Sequence, residues 1–152
     1  MKIIAIGDTH GKTCWKRIIH LESNADKVIF IGDYFDNHGK TDSKDQVKNF
    51  KQILNLKINN PDKYILLIGN HDYMYFPFIE QRYSGYQDWG AFDIGNALNE
   101  ALKNNLIQMC YTHQDYLFTH AGVTKTWCKD NDIDQNNIQQ SINDRFNFKP
   151  KS

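Results

Sequence analysis

Lys2-Ile3-Ile4-Ala5-Ile6-Gly7-Asp8-Thr9-His10-Gly11 opens the chain with a short apolar run, a glycine, and then a carboxylate and an imidazole two residues apart. A run of this length rich in isoleucine reads as a buried strand. The glycine allows a tight turn and close backbone approach at the strand end. The same sentence is written twice more. Lys27 to Ile31 leads into Gly32-Asp33-Tyr34-Phe35-Asp36, and Tyr64 to Ile68 leads into Gly69-Asn70-His71-Asp72. A fourth version, His120-Ala121-Gly122, follows the run Tyr116 to Thr119. In α/β sheets the carboxyl ends of the strands form the ligand crevice, so residues far apart in sequence are predicted to meet on one sheet edge.

Between these runs the apolar spacing is helical, which predicts α/β layering. A helix is expected from Thr13 to Ser23, burying Trp15, Ile18, Ile19 and Leu21. Ser43 is placed as the cap of a second helix running to Ile58, with Val47, Phe50, Ile53 and Leu54 on one face. Pro61 marks the loop that follows. The segment from Asp72 to Gly90 carries seven aromatic residues, read as core rather than as a base-stacking platform. A helix is expected over Ala91 to Asn104. Leu106 to Tyr111 and Tyr116 to Thr119 are expected to form a hairpin turning at His113-Gln114-Asp115. The tail from Thr124 is expected to be helical, with Ile133, Ile138, Ile142 and Phe146 on one apolar face and Asp134 as an N-cap.

The chain has 152 residues, 40% of them hydrophobic and 24% charged, with 18 Lys+Arg balancing 18 Asp+Glu. That composition predicts one soluble globular domain. Zero net charge argues against a nucleic-acid partner. The apolar start is too short for a signal peptide and no run approaches the roughly 20 residues that span a bilayer. Cys14, Cys110 and Cys128 are odd in number and scattered, which predicts reduced thiols and a cytoplasmic location.

The strand-end residues are chemically selective. Asp8, Asp33 and Asp36 supply carboxylates, His10, His71 and His120 imidazoles, and Asn70 an amide oxygen. Mixed oxygen and nitrogen donors suit manganese, iron or zinc better than calcium or a thiolate-seeking metal. One carboxylate can bridge two cations about 3.5–4 Å apart, which would acidify a bridging water and clamp phosphate oxygens for in-line displacement. Each piece alone has a plain structural reading: Gly-Asp as a turn, Asn-His-Asp as an Asx turn, His120 as a core histidine. Four in order, all at strand ends, do not arise that way readily.

The order GDTHG, GDYFDNHG, GNHD and THAG resembles the calcineurin-like metallophosphoesterase superfamily, and within it the phosphoprotein-phosphatase branch with its diadenosine-tetraphosphatase-like members. The resemblance runs from Lys2 to about Trp127. It implies a metallophosphoesterase-type layered β-sheet sandwich flanked by helices. It implies two divalent ions, manganese or alternatively iron, zinc or nickel. By resemblance, Asp8 and His10 are ligands of the first metal, Asp33 the bridging carboxylate, and Asn70 and His120 ligands of the second. Asn70 also lies near the phosphate. His71 is the general acid, oriented by Asp36, since a neighbouring carboxylate favours the imidazolium form that can donate. The implied substrate is a phosphoprotein, a dinucleoside polyphosphate or another small phosphoester.

Two departures qualify the match. The branch usually places an arginine after the second carboxylate of GDxxD as a phosphate clamp, where this chain has Asn37 followed by His38. Asn37 and His38 are therefore candidate substrate contacts, and Arg82 and Lys12 candidates by residue type alone. The family also continues to a further histidine ligand, whereas no histidine follows His120 here. Asp130, Asp132, Asp134 and Asp144 are candidate substitutes. The chain thus reads as one domain lacking the usual C-terminal strands, with an exposed sheet face inviting self-association. The alternative function is a truncated or degenerate member that binds metal or ligand without turnover. His20 and His113 are assigned no role.

Overall fold

The computed structural model describes residues 1–38 and 41–146. Three parallel strands, β1 (Ile3–Ile6), β2 (Lys27–Phe30) and β3 (Tyr64–Leu66), pair in the order β1-β2-β3. Ile4 lies opposite Val28, and Val28 opposite Tyr64. The ladder continues past the strand ends, since Ile31 N–H donates to Ile6 O and Leu67 N–H to Phe30 O. The apolar runs therefore reach the glycines as expected.

Side chains alternate across the sheet with the period of two that a pleated strand imposes. Val28, Phe30, Leu66 and Ile68 face the main core. Three helices cover them: α1 (Cys14–Leu21) through Trp15, α2 (Ser43–Asn59) through Phe50 and Ile53, and α4 (Ala91–Lys103) through Ile94 and Leu98. Ile29, Ile65 and Leu67 face the other way. There the hairpin β4 (Cys110–His113) and β5 (Tyr116–Thr119) lays Tyr111 and Phe118 on them. Both sheet faces are thus buried, which is why β2 is apolar at consecutive positions. The architecture shows the α/β layering that the strand pattern predicts and the layered sandwich that the family resemblance implies.

Local expectations fare unevenly. Leu21 is exposed, not buried. It lies about 120° round α1 from Trp15, off the face that Ile18 and Ile19 share. The cap of α2 is Asp42, whose Oδ1 accepts from Lys44 N–H at 2.7 Å, one residue before the expected Ser43. The strand expected from Leu106 starts at Cys110. The preceding residues instead form a parallel bridge between Gln108 and Leu67. Asn143 Oδ1 then accepts from Met109 and Cys110 N–H and pins the bend. His113 ends β4, so the turn is only Gln114-Asp115. The tail is two helices, not one: α5 (Lys125–Asp130) and α6 (Ile138–Phe146). Asp134 caps the 3-10 turn between them. Ile133, before that turn, joins Ile142, Cys110 and Cys128 in a small second core. The cysteines are free thiols, Cys14 exposed and the other two buried. Among the described residues no helix is long and apolar enough to cross a membrane.

The main core holds one polar group that does not belong there. Tyr34 is buried among Phe30 and Phe50, and its hydroxyl has no hydrogen-bond partner among the described residues. A buried unpaired hydroxyl costs about 1–3 kcal/mol. Tyr34→Phe removes it and keeps the ring, so chemical denaturation is expected to show a gain of about 1 kcal/mol in stability. A loss of stability would mean that the hydroxyl is satisfied in solution.

Candidate active site

The loops after β1, β2, β3 and β5 carry the site, and they can meet only because two glycines touch. A Cβ on Gly32 would lie 2.3 Å from Gly69 N, and one on Gly69 would lie 2.1 Å from Asp33 Oδ1. Any side chain at either place would push the β2 and β3 loops apart. The Asp72 carboxylate then fastens the two loops. Its Oδ2 accepts from Gly69 N–H at 2.9 Å and from Asp33 N–H at 2.7 Å, and its Oδ1 from Tyr34 N–H at 2.8 Å. Burial pushes this carboxyl up to about 8, against the pull of the three N–H bonds.

Asp33 sits at the centre and is nearly buried. Its Oδ1 accepts from His71 N–H at 2.9 Å. Its Oδ2 lies 3.8 Å from His10 Nε2 and 3.5 Å from His120 Nε2. Both imidazoles are held from behind by backbone carbonyls, His10 Nδ1 by Phe35 O at 2.6 Å and His120 Nδ1 by Ile31 O at 3.0 Å. A carbonyl only accepts, so each ring donates from Nδ1 and turns the Nε2 lone pair toward Asp33. Asn70 Oδ1 lies 2.9 Å from His120 Nε2. Asp8 Oδ1 lies 3.9 Å from His120 Nδ1.

These contacts decide whether the residues fit a metal. With its proton on Nδ1, His120 presents an acceptor to two further acceptors, Asn70 Oδ1 and Asp33 Oδ2. Such a cluster is repulsive by itself and is relieved by a cation among the lone pairs. Two donor atoms each about 2.1 Å from one cation sit roughly 3–3.5 Å apart, close to the separations seen here. Asp8, Asp33 and His120 offer ligand atoms all within 4.8 Å of one another. The donor set fits divalent metal, and His10 and Asn70 adjoin it, His10 through Asp33 Oδ2 and Asn70 through His120 Nε2.

A second unit lies beside it. His71 Nδ1 is 3.0 Å from Asp36 Oδ2. Asp36 is fully buried, its Oδ1 accepting from the Tyr75 hydroxyl and from Gln87 Nε2 at 2.8 Å. Asp36 N–H donates to Gln46 Oε1 at 2.9 Å. Burial, reinforced by the Asp36 carboxylate, holds the Tyr75 hydroxyl far above its ordinary range, so it remains a donor. The His71 ring stands edge-on to His10, with centroids 5.2 Å apart, so the two units share one cleft. Asp8, His10, Asp33, Asp36 and His38 all have φ between +44° and +69°. Non-glycine residues avoid that region, and its concentration here marks a backbone shaped for its side chains.

The other candidates are placed differently. Asn37 is buried, and its Oδ1 accepts from Thr41 N–H at 3.1 Å and Gln46 Nε2 at 3.4 Å. His38 is exposed, with its ring against Gly85. Arg82 spends Nη1 on carbonyls of its own loop, including Met74 O at 2.9 Å, and stacks over Tyr86. Lys12 is exposed. Asp134 caps its turn and Asp144 accepts from Gln140 Nε2. Neither they nor Asp130 and Asp132 join the group of Asp8, Asp33 and His120. Sequence reading missed Asp72, Tyr75, Gln46 and Gln87 as supports. Only Asp72 carried a signal, its place within the Gly-Asn-His-Asp run.

A parallel sheet with carboxylates, imidazoles and an amide gathered at its strand ends defines a metal-dependent hydrolase architecture. The chain matches the family described as Calcineurin-like phosphoesterase over residues 1–150 and belongs to it. No curated protein and no solved structure matches the chain.

Asp33 is the atom-level hub of the cluster. Asp33→Asn keeps the shape and removes the charge, so it is expected to lower the content of every bound divalent ion together, read by elemental analysis after loading. Metal content equal to the parent protein would exclude a bridging role.

Proposed function

We propose that this protein hydrolyses phosphate esters at a two-cation centre, with Asp8, His10 and Asp33 holding one cation and Asp33, Asn70 and His120 the other. The observation that carries the reading is Asp33 Oδ2, a single carboxylate oxygen near two imidazoles, 3.8 Å from His10 Nε2 and 3.5 Å from His120 Nε2. When bound, the cations supply Lewis acidity toward water and the phosphoryl oxygens. The chain's own residues do the rest. The Asn70 amide stands at the rim of the centre, where a phosphoryl group would lie. Asp36 fixes the His71 ring through Nδ1 and leaves Nε2 as the atom that delivers a proton to the departing oxygen. The buried Asp36 is itself immobilised by Tyr75, Gln87 and Gln46, so the acid is preorganised rather than recruited.

By resemblance, the proposal extends to the phosphoprotein-phosphatase branch, to manganese as the metal, and to a phosphoprotein, a dinucleoside polyphosphate or a small phosphoester as substrate in the cytoplasm. Asn37, being buried, supports the loop before α2, and His38 is the exposed residue left at that position to meet substrate. A second reading, a binder without turnover, is favoured by one observation. Among the described residues the compact group of carboxylate and imidazole ligands is Asp8, Asp33 and His120, enough for one cation.

Hydrolysis of p-nitrophenyl phosphate with manganese separates the two. His71→Ala is expected to lower kcat by about 10²–10⁴-fold while metal content stays near normal. The loss should shrink for esters with acidic leaving groups, which need little protonation. If the variant loses metal first, His71 is a ligand and not the acid. The cations themselves are expected to bind unequally, because each centre has one imidazole and shares Asp33, but the second has the neutral Asn70 amide, a poor donor, where the first has the Asp8 carboxylate. One should survive gel filtration, and activity should keep rising with manganese beyond one equivalent. Two tight, equal sites in a metal titration would contradict this assignment.

A further inference from the structure

A cleft of about 380 Å³ opens directly beside the cation cluster. Asn70 and His120 are among its lining residues, so the amide proposed to lie near the phosphoryl group is also a wall of this cavity. The remaining walls are mostly apolar, among them Tyr73, Met109, Val123, Trp127 and Ile142, with Thr119 and Arg145 as polar members. None of the candidate clamp residues lies here, and the cleft plays no part in the proton transfer assigned to His71.

Its shape is fixed from several directions. Tyr73 follows Asn70 by one helical turn. Met109 N–H is pinned by Asn143 Oδ1 at 2.9 Å. Trp127 stands in the first turn of α5, its N–H donating to the capping Thr124 Oγ1 at 3.0 Å. Trp127 is 40% exposed and lines the cleft. A large flat side chain left partly exposed at the wall of a cleft is costly in water and suited to a planar partner. Arg145 sits on the rim, its Nη1 donating to Asn131 O at 3.0 Å. A guanidinium there adds a second flat, cationic surface of the kind that stacks on aromatic rings.

The geometry points to a specificity subsite: the cleft receives a planar aromatic group, an aryl ring or a nucleobase, carried on the phosphoester whose phosphoryl group lies at the cation cluster. This rests on the phosphoesterase reading for the position of the phosphoryl group. It does not rest on turnover, because seating an aromatic ring requires only binding. An aliphatic chain would fill the volume but forgo the face of Trp127. A simple monoester such as a sugar phosphate would leave the cleft to water.

The test compares two non-hydrolysable probes, 2-naphthylphosphonate and methylphosphonate, titrated calorimetrically into manganese-loaded full-length protein. Naphthylphosphonate is expected to bind at least about tenfold more tightly, the scale of one aromatic stacking contact. Trp127→Ala should remove that preference, Trp127→Phe should keep most of it, and Trp89→Ala, at an exposed tryptophan outside the cleft, should leave it intact. Trp127 is half-exposed, and circular dichroism checks that the alanine variant folds. Equal affinities, or a preference that survives Trp127→Ala, would overturn the proposal. A preference seen only after deletion of residues 147–152 would assign the cleft to the chain's own tail and would also overturn it. Hydrolysis of p-nitrophenyl phosphate by the same samples keeps the two claims apart. A protein with no turnover but a Trp127-dependent preference retains the subsite and loses the proposed catalysis. A protein with turnover and no preference does the reverse.

Discussion

The Asp72 carboxylate is fully buried and accepts three backbone N–H bonds, from Gly69, Asp33 and Tyr34. Two of those donors belong to the loop after β2 and one to the loop after β3. The loop after β2 turns at Gly32 and runs into the left-handed Asp33, while the loop after β3 is extended at Gly69 and starts a helix, so neither has a ladder to satisfy these N–H groups. Water cannot do so either, since the loops are buried. A carboxylate is the one side chain that accepts several such bonds at once. Without it, orphaned N–H groups would lie under the cation cluster, and the position of Asp33 would be lost along with them.

A second buried network does for His71 what Asp72 does for Asp33. Asp36 is enclosed by Tyr75, Gln87 and the Gln46 side chain, whose Nε2 also donates to Thr41 O at 2.8 Å. These groups come from α2 and from the aromatic segment between α3 (Asn70–Tyr73) and α4. That segment is therefore more than apolar filling. Its side chains pack the core through Met74, Tyr75 and Phe76, and the Tyr75 hydroxyl reaches back to hold Asp36, the partner of His71. Buried polar networks of this kind are tolerated only when their members are satisfied, and here each has a partner.

The strand ends were legible because they obey simple rules. An apolar run of strand length, a glycine and a cluster of donors places Asp8, Asp33, Asn70 and His120 on one edge without any knowledge of the loops. What resisted reading lies where side-chain direction is set by irregular backbone. Asn37 follows Asp36, whose φ is +69°, and its side chain turns inward rather than toward the cleft. Gln46 and Gln87 are ordinary polar residues until the chain folds 41 positions together. The start of β4 was misjudged because Asn143, far along the chain, bends the backbone at Met109. The apolar spacing from Ile133 to Phe146 looked like one helix because Ile133 is buried in the same small core as Ile142, although a capped turn separates them. Burial and periodicity agree there for different reasons.

The four residues of α3 gather these threads. A helical turn advances about 100° per residue, so consecutive side chains leave in different directions, while positions three apart return to nearly the same side. Asn70 and Tyr73 share a side and both line the apolar cleft. His71 points to Asp36, and Asp72 points inward to the loop N–H groups. The proposed cation ligand, the proposed proton donor, the structural anchor and the cleft wall are thus set at fixed angles by a single turn of helix. Gly69, immediately before it, is the residue whose missing side chain lets that turn press against Asp33. The relative placement of centre, acid and cleft then depends little on flexible loops. It depends on one short rigid element clamped at its N-terminal end by contact with the neighbouring loop and from within by Asp72.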